Sequence, residues 1–70
     1  MEIKLLLVSD IYDFIEAAQR HEGKISLSQG GYVVDGKSLL GIVSLDLRTP
    51  INCEVEDGDY SNFEQFVNKL

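Results

Sequence analysis

Apolar and polar positions along the chain follow two periods. The first block, "EIKLLLVS" at residues 2–9, is a short apolar run bounded by polar residues, which predicts a mostly covered strand. Ser9 or Asp10 then offers an N-cap oxygen. Ile11, Phe14, Ile15 and Ala18 keep the i, i+3, i+4, i+7 spacing of one helix face, and Gly23 is placed to end that helix. "KISLS" puts Ile25 and Leu27 on one face and serines on the other. "QGG" and "YVV" follow, the signature of a hairpin with a glycine turn. "DG" at 35–36 turns the chain again, and residues 38–45 suit a short helix capped by Ser38.

After Pro50, "INCEVE" alternates strictly. Ile51, Cys53 and Val55 face one way; Asn52, Glu54 and Glu56 face the other. That pattern predicts an antiparallel strand with one wet face. Ser61 and Glu64 have capping-box spacing before a last helix carrying Phe63, Phe66, Val67 and Leu70. The order β-α-β-β-α-β-α predicts a single α+β domain over residues 1–70. Strands with one apolar face and helices with one apolar stripe cover each other, so the architecture is a two-layer open-faced sandwich.

Composition narrows the functional classes. At 70 residues, about 60% of the unfolded surface is buried on folding, so stability is modest. Twelve acids against six bases give a net charge of −6, which opposes binding to nucleic acid phosphates or anionic lipid. Cys53 is the sole cysteine and has no partner for an internal disulfide, which fits a reducing, cytoplasmic setting. The first residues are not expected to form a signal peptide, because an acid stands at position 2 and the apolar run ends too soon, and no segment approaches the roughly 20 apolar residues of a membrane span.

Candidate chemistry is sparse. The acids "EVEDGD" at 54–59 lack the spacing of a calcium loop, and "QGG" has no following helix to make a phosphate cradle. His21 is expected to be solvated beside the C-terminal carbonyls of the first helix. Cys53 is expected to be an inert core thiol. No nucleophile, base or carboxylate pair stands at a spacing that suggests catalysis, so the chain reads as a non-enzyme with no cofactor and no metal.

The most specific segment is "KSLLGIVSL", residues 37–45. It resembles the Lys/Arg-Ser-Ile-Met-Gly-Val-Met-Ser-Leu segment of HPr, the phosphocarrier family of the bacterial sugar phosphotransferase system. From about Ala18 onward the chain can be laid on the family pattern with few gaps. The resemblance implies sheet order 1-4-2-3 with the helices on one face. It also implies that Ile42 and Leu45 pack inward, while Lys37, Leu39, Leu40 and Val43 lie at partner-binding positions. Gly41 is expected to permit close approach of another backbone. Ser38 matches the serine that HPr kinase phosphorylates in some bacteria, and a phosphate there would meet the N-terminal end of a helix.

The first 20 residues depart from the family. Its Gly-x-His-Ala-Arg-Pro loop carries the phosphoryl-accepting histidine; here the corresponding stretch is "VSDIYD", without histidine or arginine. The resemblance therefore implies a non-catalytic regulatory module, like the catabolite-repression HPr paralogues. Its expected partners are HPr kinase or a transcriptional regulator. The alternatives are a phosphocarrier proper and a relative by fold alone.

Overall fold

A computed structural model describes residues 1–67. Four strands form one antiparallel sheet: β1 (Glu2–Ile3), β2 (Ile25–Gln29), β3 (Tyr32–Asp35) and β4 (Ile51–Val55), in the order β1-β4-β2-β3. Two helices, α1 (Val8–Arg20) and α2 (Leu39–Val43), and a 3-10 helix over Ser61–Phe66 complete the fold. Alternation along β2 and β4 decides which face is covered. Ile25, Leu27, Ile51, Cys53 and Val55 are buried against Ile11, Phe14, Ala17 and Ala18 of α1, Ile42 of α2, and Phe63 and Phe66. The expected α+β sandwich, with sheet order 1-4-2-3, is the architecture observed.

The β2–β3 hairpin closes through Gly30 and Gly31, at φ of 54° and 95°. Two successive positive φ values are what a two-residue type I′ loop requires, and glycine adopts them without a Cβ penalty. The three phenylalanine rings meet at the centre, one pair tilted and the other edge-on: Phe14 lies 5.2 Å from Phe63 and 5.3 Å from Phe66, centroid to centroid.

Several boundaries differ from the sequence reading. β1 is only two residues long, because its partner β4 begins after Pro50 and the pairing ends at Ile3↔Ile51. Lys4 turns its N–H to the carbonyl of Phe66 (2.8 Å), Ile3 bridges Val67, and these contacts cover the outer edge of β1. Leu5 is still buried, but Leu6, Leu7 and Val8 are exposed rather than part of a covered strand.

α1 starts at Val8, earlier than an N-cap at Ser9 or Asp10 would allow. Asp10 acts from within the first turn: its Oδ2 accepts from the N–H groups of Leu6 (3.1 Å) and Leu7 (2.9 Å). Free N–H groups at a helix start are satisfied in this way by a carboxylate reaching back. The helix also ends early, at Arg20, with His21 in an extended conformation; Gly23 is not its left-handed cap.

The last element is a 3-10 helix rather than an α-helix, and Ser61 does not cap it. Asp59 takes that role, its Oδ1 accepting from the Ser61 N–H at 3.0 Å. The expected contribution of Leu70 lies outside the described residues.

Candidate functional site

α2 is a five-residue helix held at both ends by serines. Ser38 Oγ accepts from the Gly41 N–H at 3.1 Å, and Ser44 Oγ donates to the Gly41 carbonyl at 2.6 Å. The expected cap at Ser38 is therefore formed, and its residue remains half-buried. A helix this short has only one side to bury. Ile42 is fully buried and Leu45, just past the end, is nearly so. Leu39 is 41% exposed, Leu40 80% and Val43 48%. Three aliphatic side chains thus stand together on the solvent side of one turn and a half of helix.

Gly41 answers to a side chain rather than a backbone. A Cβ built there would lie 3.1 Å from Val34 Cβ, so glycine lets α2 settle onto β3. Lys37 Nζ donates to the carbonyl of His21 at 2.8 Å, tying the start of α2 to the end of α1.

His21 itself is buried, with its side chain 6% exposed, contrary to a solvated position. Its ring meets Phe63 edge-on at 6.0 Å, and Nε2 lies 3.3 Å from Asp57 Oδ1 without the alignment of a hydrogen bond. Gly23 leaves the room: a Cβ there would come within 3.2 Å of Nε2. This packing places His21 at the opposite end of α1 from Asp10.

The helix start carries an exposed apolar patch where the apolar run predicts a covered strand. Leu6, Leu7 and Val8 are each more than 60% exposed, and Tyr12, one helical turn beyond Val8, is 58% exposed. The signal was available in Asp10, whose carboxylate three residues after Leu7 turns the chain out of the sheet.

Cys53 is fully buried, and burial pushes its thiol up to about 11. Among the described residues no group of three His, Cys, Asp or Glu side chains converges on a metal position, and no helix is long and apolar enough to cross a membrane. One open depression on the sheet is lined by Glu2, Ser28 and Asn52, and another lies between α1 and the 3-10 helix, lined by Asp13, Glu16, Arg20 and Gln65. Compared with known proteins, the chain matches no family model, no curated protein and no solved structure.

Proposed function

We propose that this chain is an HPr-like, non-catalytic protein-interaction module that binds a protein partner through α2. The observation that carries the reading is the exposure of Leu39, Leu40 and Val43 on one side of α2, while Ile42 alone within the helix faces the core. A soluble domain gains nothing in its own stability from an 80% exposed leucine, and apolar residues grouped in this way are characteristic of docking surfaces.

The half-buried Ser38 hydroxyl stands at the edge of this surface. Phosphorylation there would add a dianion beside Leu39 and Leu40 and so alter the partner's docking. HPr kinase is the proposed modifying partner, and a transcriptional regulator the proposed docking partner. A phosphocarrier role has less support: Leu6 to Asp10 supply no histidine, and His21 is packed under Phe63.

The test uses purified HPr kinase with ATP. Phosphate should appear on the native chain and not on Ser38→Ala. Leu40→Glu should fold normally and lose binding to the regulator. Label on Ser38→Ala, or undiminished binding by Leu40→Glu, rejects the reading.

A further inference from the structure

The two edges of the sheet differ. On the β1 side, Phe66 and Val67 cover the edge. On the other side, no strand lies beyond β3 among the described residues. The Gly36 N–H donates to the Ile25 carbonyl at 2.9 Å, so Ile25–Gly36 is a hydrogen-bonded pair. Antiparallel alternation makes Leu27–Val34 and Gln29–Tyr32 the next bonded pairs. The N–H and C=O of Val33 and the N–H of Asp35 therefore face away from β2. The Asp35 carbonyl is taken by the Ser38 N–H at 3.0 Å. Among the described residues, Val33 is thus the residue of β3 that offers both backbone groups on this edge.

The edge sequence "GYVVD", residues 31–35, complements itself. Set antiparallel to a second copy with Val33 opposite Val33, the two valines exchange both backbone bonds. Tyr32 of each copy then lies across from Val34 of the other, an aromatic–β-branched pair that favours strand association. Asp35, the single charge in the stretch, lies across from Gly31, which has no side chain. Shifts by two residues lose this match. One sets Val33 against Asp35, whose carbonyl is engaged; the other sets Val33 against Gly31 of the turn. Exposed edges are ordinarily blunted by lysine, proline or a bulge. "YVVD" has none of these, and Tyr32 and Val33 are 72% and 68% exposed.

We infer that β3 pairs with β3 of a second copy of this chain, antiparallel about Val33, joining the two sheets edge to edge. Two features select a second copy over a free peptide. The edge offers three main-chain groups, too few to hold an unordered peptide against the entropy lost on extending it. β3 of a second copy is already held as a strand by β2, so that loss is avoided. The depression beside the edge is lined by Lys24, Ser26, Val33, Val34 and Asp35, one base against one acid, so charge selects neither a basic nor an acidic ligand. The net charge of −6 does not concentrate where the copies meet. Their two Asp35 residues stand at opposite ends of the paired stretch, roughly 14 Å apart at about 3.4 Å per residue, beyond the ~8 Å screening length of physiological salt. A four-residue edge buries less than the roughly 800 Å² per partner of a standard interface, so the pair forms at high protein concentration. The pairing uses the sheet edge and does not rest on the function proposed for α2.

The test is sedimentation of the native chain from micromolar to millimolar concentration, with hydrogen exchange followed in parallel. Dimer should appear as concentration rises, and exchange at the Val33 amide should slow with it. Val33→Lys and Val33→Glu alter an exposed side chain, so each should keep the native melting temperature. Each alone should dimerise at least about tenfold more weakly than the native chain, because like charges then stand face to face. An equal mixture of the two should recover the dimer, since lysine then faces glutamate at the centre of the pair. A chain that stays monomeric at millimolar concentration overturns the proposal. So does a dimer whose Val33 amide exchanges as in the monomer, undiminished dimerisation of Val33→Lys, or a mixture that pairs no better than its components. A short tyrosine–valine peptide that slows the Val33 amide while the chain is still monomeric also overturns it, making a free peptide the occupant.

Discussion

Gly41 and Val34 sit so close that a methyl group on the glycine would lie 3.1 Å from the valine Cβ. Two effects oppose each other at this position. Alanine is favoured over glycine inside a helix by roughly 1 kcal/mol. Overpacking against a β-branched residue anchored in a strand costs about 1–3 kcal/mol. Val34 cannot swing aside without moving β3, so the clash prevails. Gly41→Ala should be less stable by about 1 kcal/mol in urea denaturation, and Gly41→Ala with Val34→Ala should recover part of that loss. A Gly41→Ala chain more stable than the native one would show that β3 yields.

Ser38→Ala should cost about 0.5–2 kcal/mol, since the Gly41 N–H loses its acceptor. Ser38→Asp should cost less, because aspartate caps equally well and its charge suits a helix start. Chemical denaturation of the three chains orders them; equal midpoints for native and Ser38→Ala would show that the cap contributes nothing.

Leu40 and Ile42, two positions apart in α2, should respond differently. Leu40→Ala should change stability by no more than about 0.5 kcal/mol. Ile42→Ala, at a fully buried site, should lose about 2–5 kcal/mol. Thermal melts of both variants check this, and comparable losses would mean that Leu40 is held by something within the domain.

The Cys53 thiol should react slowly with a disulfide reagent at pH 8. Burial pushes it up to about 11, leaving little thiolate, and the side chain is inaccessible. Its rate should rise to that of a free thiol in denaturant. Rapid reaction of the native protein would place Cys53 outside the core.

Asp59 lies below its ordinary carboxylate range, first because of the Ser61 backbone N–H and next because of the Ser61 side chain; the charge of His21 adds a smaller pull. A carboxyl held low stabilises the fold fully above its unfolded value and loses that contribution as pH falls through its folded value. Native protein and Asp59→Asn should therefore differ most above pH ~4 and converge as the solution is acidified below it. A stability difference that stays constant from pH 6 down to about pH 2 would remove Asp59 from this role.

The sheet was legible because its side chains alternate: Ile51, Cys53 and Val55 could face only one way, and two glycines at 30–31 marked the turn. α2 was legible through Ser38 and the inward pair Ile42 and Leu45. The ends of elements were harder, because they depend on distant groups. β1 stops where β4 begins after Pro50, and the N–H of Lys4 is taken by Phe66. The spacing of Phe63 and Phe66 suits a 3-10 helix as well as an α-helix, since residues three apart are eclipsed in the former. His21 looked solvated because its cover, Phe63 and the Asp57 turn, comes from more than 30 positions along the chain.

The closed margin at β1 also limits how these molecules can grow into larger structures. Sheet-to-sheet extension needs a free margin at each end of every unit, and here Phe66 and Val67 occupy one of them. If β3 joined to β3 at high concentration, the product would be a finished pair with no further place to add. Strand-by-strand fibril growth from the native fold is thereby ended at its first step, whatever the hydrophobicity of Tyr32 and Val33.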